Sequence, residues 1–155
     1  MIAKGGHSLL DEGAVETIRE VLLPIATVVT PNIPEASALT GIEIRDIDMA
    51  KEAAMELVNM GAAAAVVKGG HMFDVPASDI LYDGSEFRVF TTKRINTSNT
   101  HGTGCTFASA ISAQLAKGDT VRDAVSHAKT YVTGAIINGL NIGSGHGPLN
   151  HFYRS

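Results

Sequence analysis

Short apolar segments alternate along the chain with segments of helical periodicity, and this alternation constrains the fold most strongly. The runs ATVVT at 26–30 and AAAAVV at 62–67 have the length and composition of buried strands. A helical pattern precedes each run. Helices that separate apolar strands are typical of a parallel sheet covered by helices. We therefore expect an α/β fold.

Capping and helix-breaking residues predict where the first helices begin and end. Asp11 can cap a helix that buries Leu22 and ends at Pro24. Asp48 is the expected cap of a later helix that ends at Gly61. The segment PEASALTG at 34–41 predicts a short helix between them, because proline favours helix starts and glycine favours helix ends.

The second half of the chain predicts a hairpin followed by two helices. In DILYDGSEFRVF, Asp83 and Gly84 form a two-residue turn between two strands. A helix is expected over 104–117, and Thr120 with Asp123 resembles a capping box for the last long helix.

Composition excludes several classes of partner. The 155 residues suffice for one domain, and with a net charge of −4 the twelve Lys and Arg residues form no basic footprint for nucleic acid. A single cysteine forms no internal disulfide, no apolar run has the length of a membrane span, and the N-terminus has no signal-peptide pattern. We expect a cytoplasmic protein that binds neither nucleic acid nor membrane.

Polar clusters follow the predicted strands. Asn32 with Glu35 follows the first strand, Lys68 follows the second, and the loop 99–105 precedes a helix. In open α/β sheets, ligands bind beyond the carboxyl ends of the strands. The clusters therefore predict one common site.

The loop NTHGTGC, residues 99–105, has the features of an anion site. Gly102 and Gly104 allow successive N–H groups to point into one concavity, and the helix start adds partial positive charge. This favours a phosphoryl group, although no Gly-Lys-Ser/Thr follows as in a Walker A motif. On spacing alone, a tight strand-to-helix turn without a ligand is an equal alternative.

Cys105 is the one cysteine of the chain, and it occupies a helix N-terminus that favours the thiolate. His101, four residues earlier, allows a Cys-His nucleophile as in hydrolases, but no third residue orients the pair. A lone cysteine is also commonly a small buried hydrophobe.

The other two clusters allow both ligand-binding and structural interpretations. The oxygen atoms of Asn32 and Glu35 can reach Mg²⁺ or its waters, but the same residues can cap a helix. Lys68, directly after an apolar strand and before two glycines, can place a charge near phosphates or remain a solvated strand-end lysine.

Together the segments TPNIPEASALTG, AVVKGGH and NTHGTGCTFASAISAQLAKG closely resemble the hydroxymethylpyrimidine/phosphomethylpyrimidine kinases of thiamine biosynthesis. This family belongs to the ribokinase-like superfamily and is similar to a class of bacterial pyridoxal kinases. The resemblance, from Met1 to about Tyr153, implies a partial three-layer α/β/α fold with a mostly parallel sheet and a β-hairpin. It also implies ATP and Mg²⁺ as cofactors, a small pyrimidine or pyridoxal-type substrate, and a homodimer.

Resemblance to this family also implies a role for each cluster. Asn32 and Glu35 match a motif that tunes the Mg²⁺ and phosphate site, and Lys68 matches a lysine that neutralises the transferring phosphate. Cys105 matches the position of the general base. The anion hole corresponds to Gly102, Thr103 and Gly104, and the remaining nucleotide contacts correspond to Asn99 and Thr100.

Two departures from the family pattern affect these expectations. Asn96 replaces an expected acidic residue, and the start MIAKGGHSLLDEGA resembles a segment inside the pattern. We therefore expect residues 1–155 to be the C-terminal portion of a single kinase domain. The expected activity is phosphorylation of 4-amino-5-hydroxymethyl-2-methylpyrimidine or its monophosphate. The alternatives are a pyridoxal kinase and an inactive fragment that at most binds nucleotide.

Overall fold

The structure, a computed structural model, describes residues 12–70, 76–140 and 142–154. The chain divides into two units, Met1–Thr91 and Thr92–Ser155. The elements up to the boundary are α1 (Glu12–Thr17), α2 (Ile33–Thr40), α3 (Ile47–Asn59), β1 (Ala65–Lys68), β2 (Ala77–Tyr82) and β3 (Phe87–Thr92). The second unit contains α4 (Thr103–Ala116) and α5 (Val121–Ile137). Within the described ranges, no helix is long and apolar enough to cross a membrane.

The winding of the first helix changes partway along. α1 continues into a π-helical turn at Ile18–Leu22. Because a π turn contains more residues than an α turn, the buried face shifts, and Leu23 is 1% exposed while Leu22 is 51% exposed. The expected burial of Leu22 is therefore wrong, and Pro24 lies in a following 3₁₀ turn. The expected cap, Asp11, lies outside the described residues.

Capping residues define where α2 ends and where α3 begins. α2 ends at Gly41, which has a φ of 75° as expected for a glycine stop. α3 begins after Asp46, whose Oδ1 accepts a hydrogen bond of 2.8 Å from the Met49 amide. The prediction of Asp48 as the cap is wrong, because Ile47 already packs against the core. Asp48 lies in the first turn instead, where an acidic side chain favours the helix dipole.

In the first unit, β1 lies between segment 26–32 and β2. Segment 26–32 pairs with it in parallel, through bonds of 2.8 Å from Val66 N to Val29 O and 2.9 Å from Lys68 N to Pro31 O. β2 pairs with it antiparallel, with Val66 opposite Leu81. The α/β class is therefore confirmed, while the expected parallel pairing is limited to this short ladder and the sheet order is β1-β2-β3.

β2 and β3 form the expected hairpin, but their connecting loop is longer than predicted. It comprises residues 83–86, four residues in place of the expected two. Asp83 Oδ1 accepts bonds of 3.0 Å and 2.8 Å from the amides of Ser85 and Glu86. Gly84, with a φ of 89°, supplies the left-handed position. The turn is longer because the Asp83 side chain bonds its own loop backbone.

Each unit has its own group of buried apolar residues. In the first unit, an alanine-rich face of α3 packs against the sheet, and its buried members are Ala50, Ala53, Ala54 and Leu57. In the second unit, α4 and α5 pack together through Phe107, Ile111, Ala124, Val125, Ala128, Val132 and Ala135. Small side chains on these faces allow the backbones to approach closely.

The packing of α3 predicts the cost of truncating its side chains. Leu57 is 0% exposed and Met55 is 41% exposed. Leu57→Ala should lower the free energy of unfolding by about 2–5 kcal/mol, because it leaves a cavity. Met55→Ala should change it by less than about 0.5 kcal/mol. Urea denaturation measures both, and equal losses would contradict this packing.

Candidate functional site

Asn32 and Glu35 bond to each other at the start of α2. Asn32 Oδ1 accepts a bond of 2.8 Å from the Glu35 amide, and Glu35 Oε2 accepts one of 2.9 Å from the Asn32 amide. This reciprocal pair is a capping box. The capping interpretation is thus observed, and the role at Mg²⁺ stays a prediction.

The capping box leaves part of the Glu35 carboxylate available. Oε1 of Glu35 has no hydrogen-bond partner in the described ranges. Mg²⁺ in kinases takes one or two carboxylates besides waters and phosphates. Among the described residues, no group of three or more His, Cys, Asp or Glu is placed to hold a metal ion. Glu35 therefore fits the ion as a single oxygen donor, directly or through a water.

Lys68 lies beside Asn32, as the sequence predicts for neighbouring strand ends. The two residues form a parallel bridge, and the Lys68 amide donates to Pro31 O at 2.9 Å. In the part of the chain that the structure describes, the Lys68 ammonium has no hydrogen-bond or ion-pair partner. The register thus places an available positive charge next to the start of α2.

Asp79, which the sequence analysis did not single out, holds the backbone that follows Lys68. It is buried on β2, and its Oδ1 accepts a bond of 3.1 Å from the Gly69 amide. A Cβ on Gly69 would overlap the Ser78 carbonyl oxygen, so the strands approach here only because residue 69 is glycine. The available signal was an acidic residue at the start of the apolar run DILY.

The glycine loop lies in the second unit and begins α4. Gly102 adopts a φ of 80° as the residue before the helix, and Thr103 Oγ1 donates to Thr100 O at 2.7 Å. No side chain caps α4. Within the described ranges, the amides of Gly104 and Cys105 have no acceptor, as is typical of a first turn. Such amides are suited to an anion.

Cys105 is exposed, which contradicts its interpretation as a buried hydrophobe. Its thiol makes no hydrogen bond to any described residue, including His101. The His101 amide donates instead to Gly147 O at 3.2 Å, and His101 bridges Pro148. Among the described residues, Cys105 thus has no histidine partner of the kind that a hydrolase needs.

Cys105 is one of the residues that line a groove formed by α4, α5 and the C-terminal segment. The volume of the groove is about 850 Å³, within the range of small-molecule sites. Its polar and charged lining residues include Ser109, Gln114, Lys117, His127, Tyr131 and Arg154. Cys105 is thus accessible to a small molecule within its own unit.

The two expected nucleotide contacts next to the glycine loop differ in exposure. Asn99 is only 7% exposed, whereas Thr100 is half-buried. Asn99 packs between Gly139 and Gly147. Sequence reasoning missed this packing. The available signal was the glycine-containing string GHGP at residues 145–148.

Solved structures with a similar fold define the class of protein. The pyridoxal kinase from Staphylococcus aureus in complex with AMP-PCP has a TM-score of 0.91 at 38% identity, covering 99% of this chain and 56% of that one. The phosphomethylpyrimidine kinase of Clostridium difficile 630 has a TM-score of 0.75 at 39% identity, covering 88% and 54%. The fold is the ribokinase-like α/β fold of these kinases.

Sequence comparison identifies the family within this class. The chain belongs to the phosphomethylpyrimidine kinase family, whose model matches residues 1–150. The hydroxymethylpyrimidine/phosphomethylpyrimidine kinase of Bacillus subtilis strain 168 is 52% identical over 153 residues, which are 98% of this chain and 56% of that protein. The chain spans about half the length of most curated relatives that it matches. The resemblance inferred from the motifs is confirmed.

The close approach at Gly69 predicts a position-specific substitution effect. Gly69→Ala should destabilise the protein by about 1–3 kcal/mol, because its methyl group forces the backbone of β2 away. Gly70→Ala serves as the control, since a Cβ there meets no atom within 4 Å. Thermal melting of both variants measures the difference, and equal melting temperatures would contradict the contact with Ser78.

Proposed function

We propose that this chain carries the phosphate-binding part of an ATP- and Mg²⁺-dependent kinase. Its substrate is 4-amino-5-hydroxymethyl-2-methylpyrimidine or the monophosphate of this alcohol. The observation that carries the proposal is the exposed thiol of Cys105 in the first turn of α4, after left-handed Gly102, in a chain of this family. A homodimer in the cytoplasm stays a prediction.

The first step of the proposed reaction takes place at the start of α4. The substrate hydroxyl oxygen attacks the γ-phosphorus of ATP, its proton passes to the Cys105 sulfur, and the bond to the β-phosphate oxygen breaks to release ADP. Amides of Gly102, Thr103 and Gly104 hold the migrating phosphoryl group.

The first unit carries groups whose chemistry suits a phosphate and Mg²⁺. Lys68, whose ammonium has no partner within the described ranges, offers a point charge. Mg²⁺, when bound, would neutralise phosphate oxygens, and Glu35 Oε1 offers it one ligand oxygen or a bond to its water. Asn32 positions Glu35 through the capping box.

A pyridoxal kinase of the same fold is the second candidate. The pyridoxal kinase from Staphylococcus aureus in complex with AMP-PCP and pyridoxal has a TM-score of 0.88 at 40% identity with this chain. ADP release with each alcohol in turn, at equal ATP and Mg²⁺, decides between the two substrates. Turnover of pyridoxal alone would overturn the pyrimidine assignment and leave the kinase assignment intact.

The role of Cys105 as general base predicts the effect of its removal. Little turnover is expected from residues 1–155 alone; in a full-length kinase that contains this chain, Cys105→Ala should lower kcat by about 10²–10⁴-fold, the usual contribution of such a group. ATP affinity should change little, because the loop amides hold the phosphates. Cys105→Asp should recover part of the rate, since a carboxylate can accept the same proton. Coupled ADP assays and calorimetry measure these quantities.

Ser109→Ala is the matched control for Cys105→Ala. Ser109 lies one turn further along α4 and lines the same groove, so its substitution should leave kcat near that of the wild type. If Cys105→Ala retains the wild-type rate while Cys105→Asp unfolds, the cysteine is structural and the assignment as base is wrong.

The available oxygen of Glu35 predicts a Mg²⁺-specific defect. Glu35→Gln keeps an acceptor for the Asn32 amide but removes the carboxylate charge. The Mg²⁺-dependent gain in ATP affinity should fall by about 10-fold, as for partners that orient metal sites, while the melting temperature stays near that of the wild type.

Glu52→Gln, an exposed substitution on α3, is the control for Glu35→Gln. Calorimetric titrations with and without Mg²⁺ give the four affinities to compare. An unchanged Mg²⁺ dependence in Glu35→Gln would restrict Asn32 and Glu35 to helix capping.

A further inference from the structure

The side chain of Asn99 is enclosed by two glycines of the C-terminal segment. A Cβ on Gly147 would overlap Asn99 Oδ1 and lie 2.9 Å from its Cγ. A Cβ on Gly139 would lie 2.7 Å from the Asn99 Cβ. Neither position therefore accepts a larger residue unless the Asn99 side chain or the backbone around it moves. Both glycines thus pack directly against the Asn99 side chain.

The segment that contains Gly147 is attached firmly to α5. We call residues 147–150 the strap. Its residue Leu149 is buried, and its Asn150 amide donates to Ala135 O at 3.1 Å. These contacts hold the strap to a helix whose own residues are packed against α4.

The strap also bonds the glycine loop through its backbone. The His101 amide donates to Gly147 O at 3.2 Å, and His101 bridges Pro148 in parallel. Asn99 and His101 thus both contact the strap, four and two residues respectively before Thr103, the first residue of α4.

The helix start itself provides little restraint. Gly102, the N-terminal flanking residue of α4, has no side chain, and no side-chain hydrogen bond caps the helix. A glycine in this position accesses many backbone conformations. The direction of the first-turn amides therefore depends on contacts outside the helix. These contacts include those with the strap and local bonds of the loop, such as the one from Thr103 Oγ1 to Thr100 O.

We infer that Asn99 is a positioning residue, which sets the glycine loop against the strap so that the first-turn amides of α4 converge on a phosphoryl group. It acts through the loop backbone and not by contact with the nucleotide, in contrast to the role that the family resemblance implies. Its consequence for nucleotide binding rests on the proposed function, whereas its consequence for the loop conformation does not.

Gly147→Ala and Gly145→Ala form a matched pair that tests this inference. A Cβ on Gly145 meets no atom within 4 Å, unlike one on Gly147. In the purified chain, Gly147→Ala should raise amide hydrogen exchange at His101 by at least about tenfold. It should also shift the ¹H–¹⁵N signals of Gly102, Gly104 and Cys105. Gly145→Ala should leave all four signals as in the wild type.

Calorimetry with Mg²⁺ and ATP provides the functional measurement. Gly147→Ala should weaken ATP binding by at least about tenfold, which corresponds to the loss of one amide–phosphate hydrogen bond. Asn99→Ala removes the enclosed side chain without creating an overlap, and it should give the same two changes. Because Asn99→Ala also removes the atoms that a methyl group at 147 overlaps, the double variant should bind ATP no more weakly than Asn99→Ala alone.

Each outcome decides the inference. Loop signals that are equal in Gly147→Ala and Gly145→Ala overturn it, and so does an unchanged ATP affinity despite shifted loop signals. Additive losses in the double variant overturn the assignment to Asn99. If the wild type binds no ATP while Gly147→Ala and Asn99→Ala shift the loop signals, the proposed function fails and the positioning of the loop by Asn99 is supported. If Gly147→Ala does not fold, Asn99→Ala decides by the same two measurements.

Discussion

The parallel ladder between segment 26–32 and β1 determines the arrangement of the first unit. Its bonds from Val66 to Val29 and from Lys68 to Pro31 set one register between the two segments. That register puts Lys68 beside Asn32, although 36 positions of sequence separate them. A shift of two residues would retain burial of the same strand face, yet it would separate the ammonium from the start of α2.

Glycine controls how closely backbone segments approach in both units. At Gly69 the missing side chain lets β2 pass next to the residue after Lys68. At Gly147 it lets the strap enclose Asn99. In both places a polar side chain, Asp79 or Asn99, is buried where the backbones meet. The residues assigned to the chemistry follow or precede these contacts by a few positions, so their placement depends on packing that lies outside the site.

The start of α2 illustrates why structural and chemical roles cannot be separated by residue type. Asn32 and Glu35 satisfy two helix-start amides, which would explain both residues on stability alone. The same capping box fixes one carboxylate oxygen, and the other has no hydrogen-bond partner among the described residues. A cap that orients a carboxylate would therefore serve both folding and the proposed metal binding through one geometry.

The sequence by itself determined the α/β class, the order of the helices, the hairpin, the glycine stops and the family, because these follow from local periodicity, turn chemistry and contiguous motifs. The predicted buried strand at 26–30 is wrong, since this segment pairs only through isolated bridges and none of its residues is buried. Local patterns also identified Asn32, Glu35, Lys68 and the glycine loop. They did not predict the burial of Leu23 in place of Leu22, the cap at Asp46, or the loop at 83–86, because each depends on how a few residues pack or bond locally. Only the tertiary structure decided the roles of Asp79 and Asn99, since their partners are distant in sequence and become neighbours only when the backbones pack.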